Sequence, residues 1–380
     1  MYASFDSQAL LEEYVSFGRG KGLFSDDKLY ALAGWTYIRG ASPDTINFEH
    51  PPLAKYLIGV SELAFMNHTM LGLVTSILTL IVLYLISRSI LRTPIMGLVA
   101  PMLLSFDRMY IDFSTISMLD IYATFFATLS IFLLMSEKRF ATPMLGITIG
   151  LALSCKWSTV FLVFIPPAYY VFNRKWQVLR FYPLVLLTAA MTYTMTYSVF
   201  FAAGHSFYDF ISLQGMMIEF HQHRHFEGGP KPLWILMNFL TGVEGPTRIQ
   251  TLLLDPVNRT VTVIGSAQGV SLIQWYNPLT WPTSFSSSLL SFYYSIRENR
   301  RLVPIPLGFM LLLASTSTGK PFIWYVLPGL PLGFFSLAYV ITTAYTKSEN
   351  RRVTRILLAA YLASVVFWSL FAHLPPYVAT

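Results

Sequence analysis

The sequence predicts an all-α polytopic membrane protein, and three observations lead to this fold class. Only 12% of its 380 residues are Asp, Glu, Lys or Arg, against about 25% in soluble domains. Apolar residues make up 54% of the chain, and the mean hydropathy is +0.54. Apolar runs such as residues 72–87 approach the roughly 20 residues that a helix needs to cross a bilayer. Together these observations exclude a water-soluble globular fold.

The charged residues and the cysteine exclude other classes. The net charge is +7, but the basic residues form no single patch, so we expect no nucleic-acid partner. Cys155 is the single cysteine, which excludes an internal disulfide and a Cys-rich metal site. Residues 1–30 carry eight charges and therefore do not resemble a signal peptide.

The chain begins with a polar segment, residues 1–52, which we expect in water or at the membrane surface. Apolar segments that we expect to enter the membrane then follow near 72–91, 95–111, 116–136, 143–172, 181–203, 280–296, 302–317, 322–344 and 354–372. Fourteen of the 26 Lys and Arg residues lie in short connections, which predicts that these connections are cytoplasmic. They are Arg88, Arg92, Lys138, Arg139, Arg174, Lys175, Arg180, Arg297, Arg300, Arg301, Lys347, Arg351, Arg352 and Arg355. The other connections, 1–71, 106–115, 204–279 and 317–321, would be external.

This alternation requires residues 143–172 to cross the membrane an even number of times. Thirty residues give about 45 Å of helix, too little for two full spans of about 30 Å. We therefore expect a hairpin of two short half-helices that is broken around Ser154–Lys156. A single tilted span is the alternative, and it would place Arg174, Lys175 and Arg180 outside.

Two external segments are long enough to carry function. After Pro51-Pro52, apolar residues recur on one helical face, which predicts a short helix along the membrane surface. Those residues are Leu53, Tyr56, Leu57, Val60 and Ala64. The second segment, 204–279, contains RTVTVIG, whose β-branched alternation predicts a strand or hairpin.

Asp26-Asp27 in the first external segment is the leading candidate for chemistry. Two adjacent carboxylates just outside a membrane can supply a general base or bind a metal, or they can be a solvated loop pair. The residues that follow are SDDKLYALAGWTYIRG, a spacer, and then FEHPPLAKYLIG.

This stretch resembles the first external loop of type C glycosyltransferases, integral-membrane enzymes that take sugars from polyprenyl phosphates. The most similar branch is that of the protein O-mannosyltransferases and the related aminoarabinose and dolichyl-phosphate-sugar transferases. The resemblance implies that Asp26 is the catalytic Asp and that Asp27 takes the place of the family's Glu. Tyr30 matches the family's aromatic residue, and His50-Pro51-Pro52-Leu53-Ala54-Lys55 matches its His-Pro-Pro-Leu-x-Lys motif.

The resemblance continues to about residue 345. It covers Asp120 in SMLDIYATFF, Lys156 and Trp157 in LALSCKWSTVF, His221 in LQGMMIEFH, Asn277-Pro278 in NPLTWP, and Lys320 in TGKPFIWYVLPGLP. It implies a type C glycosyltransferase fold with about 9–10 transmembrane helices and two external loops. Donor phosphate or sugar binding would fall to His50, Lys55, Arg108, Asp120, His221 and Lys320.

Two departures from the family pattern concern the N-terminus and one arginine. The family has a transmembrane helix before the acidic pair, whereas residues 1–25 are too short and charged to form one. The family also has an Arg five residues before the Asp120 position, and Thr115 stands there in this chain. Arg108 is the candidate to replace that arginine.

Each of the other candidates has a structural alternative. Asp120 and Lys156 either serve the substrate or form a salt bridge that fixes helices, and Lys156 could also donate to backbone carbonyls freed at the break. Lys320 either holds the donor phosphate or snorkels to the interface. His221, His223 and His225 alternate, which suggests phosphate or sugar contact by His221, a zinc site, or exposed histidines. Trp234, Trp275 and Tyr276 either stack on sugar or belong to an interfacial aromatic belt. Asn67 and Asn258 lie in N-x-Thr sequons on the predicted external face.

The resemblance implies transfer of a hexose, with mannose expected, from a dolichyl or other polyprenyl phosphate to a hydroxyl on the external face. The acceptor would be a protein, glycan or lipid. No cofactor is required, although a divalent metal stays open. We expect a multi-pass plasma-membrane protein that contacts membrane lipid. Its four regions would be the first external loop, 1–52; the N-terminal transmembrane catalytic core, 53–203; the second external loop, 204–279; and the C-terminal transmembrane helices, 280–380. The alternatives are a transporter or flippase, and a non-catalytic family member.

Overall fold

Helices make up most of the chain in the computed structural model, which describes residues 7–18, 24–91, 93–136, 141–223, 234–255, 260–315 and 322–371. The helices of the first half are α1 (Ser7–Gly18), α2 (Asp26–Tyr37), α3 (Leu53–Phe65), α4 (Met70–Ile90), α5 (Pro94–Gly97), α6 (Val99–Ser105), α7 (Arg108–Thr115), α8 (Leu119–Met135), α9 (Ala141–Cys155), α10 (Ile165–Phe172), α11 (Trp176–Leu179), α12 (Tyr182–Met195) and α13 (Ser198–Ala202). Those of the second half are α14 (Phe207–His223), α15 (Trp234–Thr241), α16 (Trp281–Arg297), α17 (Pro304–Ser315), α18 (Leu330–Lys347) and α19 (Arg351–Phe371). Short 3₁₀ helices lie at Trp157–Phe164, Arg300–Leu302 and Ile323–Gly329. The predicted helical membrane-protein fold class is confirmed.

Several membrane segments are interrupted rather than continuous. By length and composition, four described helical stretches can each cross a bilayer: Met70–Ile90, Trp176–Met195, Ile323–Lys347 and Arg351–Phe371. A fifth candidate is the pair α7 and α8, which is bent by 115°. Shorter apolar helices lie at Pro94–Ser105, Thr142–Cys155 and Trp157–Phe172. Helices α16 and α17 occupy the segments predicted at 280–296 and 302–317.

The apolar segment predicted near 95–111 ends at Ser105, close to where the predicted connection 106–115 begins, and a new helix, α7, starts after Asp107. The Asp107 carboxylate accepts the backbone N–H of Tyr110 at 3.0 Å and therefore caps the start of α7. It also accepts the indole N–H of Trp281 at 2.8 Å, which ties α7 to the beginning of α16. A buried carboxylate with two such partners favours a new helix start at this position.

Residues 143–172 double back on themselves, as predicted. Lys156 at the end of α9 pairs with Asp120 at the start of α8, so these two helices are antiparallel. Lys156 itself is extended, with φ −160° and ψ 132°, and it separates α9 from the next 3₁₀ helix. The chain then returns to Asn173, whose side-chain amide donates to the carbonyl of Arg300 at the far end of the bundle. The break therefore lies at the end of the bundle that carries Asp120.

Helices α9 and α12 pack in close contact through two glycines four residues apart. A Cβ atom at Gly146 would lie 2.5 Å from the carbonyl oxygen of Val185, and one at Gly150 would lie 2.5 Å from that of Ala189. Small residues with this spacing allow helix backbones to approach closely in membranes. This contact supports α9, which ends at Cys155, directly before Lys156.

The amphipathic helix α3 has its apolar side outward. Val60, Leu63 and Met66 are exposed, whereas Lys55 and Glu62 are buried against the protein. An exposed apolar face on a helix is unfavourable in water and fits contact with lipid. This orientation agrees with the predicted helix along the membrane surface.

The second long segment, 204–279, contains helices and a hairpin. Within it, α14 and α15 precede the antiparallel strands β1 (Val243–Asp255) and β2 (Thr260–Leu272). The register pairs Val243 with Leu272 and Asp255 with Thr260, with two irregularities between these ends.

Two clusters of buried side chains position the parts of the chain that matter for function. The larger one fills the bundle around α8, α16, α17 and α18. The smaller one joins the loop before α3 to helices α12, α13 and α14, and consists of Phe48, Tyr197, Phe200, Phe210, Leu213 and Met217. It therefore brings two segments that are distant in sequence to the same end of the bundle.

Helix α2 crosses α3 at a glycine pair, which predicts a large effect of a single methyl group. A Cβ atom at Gly59 would collide with the carbonyl oxygen of Gly34 and lie 2.7 Å from its carbonyl carbon. We expect Gly59→Ala to lower the unfolding free energy by about 1–3 kcal/mol and to reduce the Tm of the purified protein. Gly215→Ala is the control, because a Cβ there meets nothing within 4 Å. Equal Tm values for the two variants would contradict this packing.

Candidate active site

Asp26 and Asp27 form the first turn of α2. Ser25 precedes them in an extended conformation, and carboxylates in this first turn interact favourably with the helix dipole. Asp26 is exposed and Asp27 is half-buried. Within the described residues, neither carboxylate accepts a hydrogen bond. Asp26 is therefore available to a ligand.

A buried ion pair lies close to Asp26. Lys156 Nζ is 2.7 Å from Asp120 Oδ1 and 2.8 Å from Oδ2, and both side chains are almost fully buried. The ammonium also lies 3.9 Å from the centre of the Tyr325 ring, a cation–π distance. Asp26 is near enough to interact electrostatically with Lys156 and with Asp120. The structure thus brings together three ionisable residues that are far apart in sequence.

Tyr30 lies close to both Asp26 and Asp120. It is buried, and it interacts electrostatically with Asp26, Tyr325 and Asp120. Burial raises the pKa of the Tyr30 phenol well above its usual value, and the neighbouring Asp26 charge adds to the increase. Tyr30 therefore stays protonated at neutral pH.

Two histidines from different segments meet beside Tyr30. The His50 ring lies 5.9 Å from the Tyr30 ring and 5.3 Å from the His221 ring, measured between centroids. His221 Nε2 donates to the backbone carbonyl of Glu49 at 2.9 Å, a contact between residues 172 positions apart. This bond holds α14 against the loop that carries His50.

Lys55 lies beneath this loop and holds its conformation. Its ammonium donates to the carbonyl oxygens of Asn47 at 2.5 Å and His50 at 2.7 Å, and to Asn47 Oδ1 at 3.2 Å. Asn47 Nδ2 donates to Glu49 Oε1 at 2.6 Å. Asn47 has a φ of 54°, a left-handed conformation that asparagine tolerates better than most residues. Lys55 is fully buried, and these bonds direct its ammonium into the loop.

The burial of Lys55 predicts a pH-dependent contribution to stability. Burial lowers the pKa of Lys55 from 10.5 to about 7, and the Glu49 carboxylate opposes that decrease. The unfolded chain then binds more protons than the native chain between these values, so stability rises with pH in this interval. We expect the difference in Tm between the wild type and Lys55→Met to widen in favour of the wild type from pH 7 to pH 9.5. Thermal unfolding of detergent-purified protein measures it, and a constant or narrowing difference would contradict the prediction.

Arg108 belongs to a neighbouring group on α7. It is exposed, and its Nε lies 3.0 Å from Asp112 Oδ1. Asp112 Oδ2 accepts the indole N–H of Trp275 at 3.0 Å. The Trp275 ring lies 6.2 Å from that of Trp324, which directly precedes Tyr325. Arg108 is therefore connected to the Lys156 region through an aromatic group rather than by direct contact.

Some predicted residues lie outside the part of the chain that the structure describes. They are Lys320, His225, Asn258 and the side chains of His223 and Trp234. Among the described residues, no three His, Cys, Asp or Glu side chains are grouped so that they could hold a metal ion.

Two further residues that the sequence singled out form local hydrogen bonds. The Tyr276 hydroxyl donates to the carbonyl of Leu240, and Asn67 Oδ1 accepts from Thr69.

The sequence did not single out several residues that shape this region. Tyr325 lies in the quoted YVLPGLP stretch, but its position against Lys156 depends on the packing of the 3₁₀ helix 323–329 on α8. Asn47 lies three residues before His50, and only its contact with Lys55 reveals its importance.

As a whole, the region offers an accessible carboxylate beside a buried cation, with histidines and aromatic rings around it. Such a site suits acid–base chemistry on a hydroxyl group.

Comparisons with known proteins concern the fold of this chain. The family model described as dolichyl-phosphate-mannose-protein mannosyltransferase matches residues 64–203. ArnT from Cupriavidus metallidurans, solved with bound undecaprenyl phosphate, has a TM-score of 0.62 at 12% identity, covering 96% of this chain and 75% of that protein. Its apo structure gives a TM-score of 0.59 at 12% identity, with 92% and 61% covered. A search of curated proteins finds no match.

A second kind of enzyme has a similar fold. The archaeal oligosaccharyltransferase AglB from Archaeoglobus fulgidus, in complex with an inhibitory peptide and a dolichol-phosphate, has a TM-score of 0.51 at 12% identity. The match covers 96% of this chain and 55% of AglB. The resemblance to mannosyltransferases and the type C glycosyltransferase fold are thereby confirmed, and the chain is an integral membrane protein.

Proposed function

We propose that this protein transfers a hexose, with mannose expected, from a dolichyl or other polyprenyl phosphate to an acceptor hydroxyl. The observation that carries the proposal is the position of Asp26, an accessible carboxylate close to the buried Lys156–Asp120 pair. The family match and the shared fold favour this activity over transport. The acceptor is a protein, glycan or lipid hydroxyl at the end of the bundle that carries Asp26.

In this mechanism Asp26 is the general base. Its carboxylate takes the proton of the acceptor hydroxyl while the hydroxyl oxygen attacks the anomeric carbon. The bond from that carbon to the phosphate oxygen breaks, and polyprenyl phosphate leaves with the electron pair. The configuration at the anomeric carbon inverts. Phosphate is a good leaving group that needs positive charge rather than a proton.

The remaining predicted residues have supporting roles in the proposal. His221, Lys320 and Arg108 supply donors and positive charge to the leaving phosphate, and His50 lies beside His221. Asp27 adds a second negative charge to the first turn of α2. Lys55 acts through the loop, because its ammonium holds the backbone of Asn47 and His50. Asp120 holds the Lys156 ammonium through the buried ion pair.

The basic connections support an orientation for the protein. Asn173 contacts Arg300, and Lys347 Nζ lies 3.8 Å from Glu298 Oε2, so connections rich in Lys and Arg share the end opposite to Asp26. By the positive-inside rule that end faces the cytoplasm. We propose that the protein resides in the plasma membrane with Asp26 on the external face. Labelling of a cysteine at Ser348 from outside the cell, in a chain without Cys155, would contradict this orientation.

A donor panel tests the proposed activity. Purified protein in lipid nanodiscs would be incubated with dolichyl-phosphate mannose, dolichyl-phosphate glucose or GDP-mannose, together with a membrane extract as the acceptor source. We expect transfer of labelled hexose from a dolichyl-linked donor and none from the nucleotide sugar. The proposal would be contradicted if only GDP-mannose served as a donor, or if none of the three donors gave any transfer.

A further inference from the structure

Trp157 lies beside His221 of the candidate site. It follows Lys156 in the chain and is half-buried, and its ring centroid is 6.4 Å from that of His221. Its indole N–H donates to the Tyr193 hydroxyl at 2.8 Å. Because an indole has one N–H donor and no acceptor, this bond uses its whole hydrogen-bonding capacity.

A chain of hydrogen bonds fixes the Tyr193 hydroxyl. Its O–H donates to Gln214 Oε1 at 2.7 Å, and the Tyr197 hydroxyl lies 3.2 Å away. These hydrogen bonds therefore connect Trp157 to α12 through Tyr193 and to α14 through Gln214. Consecutive hydrogen bonds in a poorly hydrated region strengthen one another and restrict the orientation of each group.

The fixed orientation leaves only the aromatic surface of Trp157 for a ligand. An aromatic ring carries negative charge density on its faces and so attracts groups with a positive edge. The C–H faces of a pyranose ring are such groups, whereas a phosphate is not. His221 lies beside the same ring and offers a polar group of the kind that a sugar also needs.

We infer that Trp157 forms part of the hexose-binding surface and that Tyr193 and Gln214 are positioning residues that hold its ring. The inference rests on the proposed function and assigns a sugar contact within the same site. The contact exists in both the ground state and the transition state, so its loss affects KM rather than kcat.

Tyr193→Phe removes the acceptor of the indole N–H while it keeps the aromatic ring. We expect the KM for the dolichyl-phosphate hexose to rise about fivefold, in line with the loss of one buried hydrogen bond. The kcat should stay within about twofold of the wild type. Tyr182→Phe is the matched control, since its hydroxyl donates to the carbonyl of Val163, away from Asp26. Its KM should not change.

A double-mutant cycle separates positioning from a general structural effect. Trp157→Phe has no N–H to hold, so Tyr193→Phe should raise KM in the wild-type background and cause no further increase in the Trp157→Phe background. The same increase in both backgrounds, or none in either, would overturn the inference. Should Tyr193→Phe fail to fold, Gln214→Met tests the same chain of bonds and is expected to raise KM in the same background-dependent way.

Sugar-free dolichyl phosphate distinguishes the sugar from the phosphate as the group in contact. As a competitive inhibitor it should bind the wild type and Tyr193→Phe with equal inhibition constants. An inhibition constant that rises as much as the KM would overturn the assignment of the sugar contact. A wild-type protein that transfers no hexose would instead contradict the proposed function. Wild-type transfer with an unchanged KM in Tyr193→Phe would overturn this inference alone.

Discussion

Asp26→Asn is expected to lower the rate of hexose transfer by about 10²- to 10⁴-fold, the usual contribution of a positioned general base. The amide has nearly the shape of the carboxylate but cannot take the proton of the acceptor hydroxyl. The side chain is exposed and accepts no hydrogen bond from the described residues, so we expect an unchanged Tm. The measurement compares initial rates of label transfer from the dolichyl-linked donor for equal amounts of folded protein.

Two variants serve as controls for this result. Glu12→Gln removes an exposed carboxylate from α1 and should transfer at the wild-type rate. Asp26→Glu retains a base and should keep more activity than Asp26→Asn. If Asp26→Asn transferred hexose as fast as the wild type, Asp26 would not be the base, and a non-catalytic role for the acidic pair would be favoured.

Lys156→Met is expected to destabilise the protein strongly, by about 3–5 kcal/mol, because Asp120 would remain buried without its partner. Asp120→Leu should have a similar effect, since it leaves the Lys156 ammonium uncompensated. Replacing both residues in Asp120→Leu/Lys156→Met removes both buried charges, and buried pairs replaced in this way often keep their stability. We expect the double variant to recover most of the wild-type Tm.

The transfer rate of the double variant separates the two interpretations of the pair. If Lys156 serves the reaction through its charge beside Asp26, the double variant folds but transfers hexose at least about 10²-fold more slowly. Wild-type transfer by the double variant would show that the pair only fixes the helices. Lys347→Met, which removes an exposed ion pair with Glu298 at the other end of the bundle, should change the Tm little.

The charge pattern of the sequence predicted one part of the fold well. Placing Arg174, Lys175 and Arg180 on the basic side required a break near Lys156, and the structure has it there. The predicted connection at 106–115 is helical in the structure, and the start of this helix after Asp107 was not predicted, because an apolar pattern does not show which side chain caps a helix. Its position depends on Trp281, a partner 174 positions away.

The resemblance predicted which residues belong to the candidate site, but it did not predict the contacts between them. The motif residues Asp26, His50, Asp120 and His221 lie at one end of the bundle, as the resemblance implied. Their contacts depend on long-range packing that a single sequence does not reveal. The bond from His221 to the Glu49 carbonyl is an example, because it requires the buried cluster around Phe48 to bring α14 to this loop.

Lys55 is a second example of contacts that the sequence does not reveal. Its motif suggested a ligand for the donor phosphate, and that role stays a prediction. The structure adds three hydrogen bonds from its ammonium to Asn47 and His50, which a sequence pattern cannot show.

The central claim is a single displacement at the anomeric carbon by a hydroxyl that Asp26 deprotonates. The anomeric configuration of the product tests it most directly, since one displacement inverts the configuration and two displacements retain it. NMR of the first product formed from a donor of known configuration gives this result without an assumption about rates. We predict a product with the configuration opposite to that of the donor. Retention would contradict the mechanism and indicate a covalent intermediate on the protein.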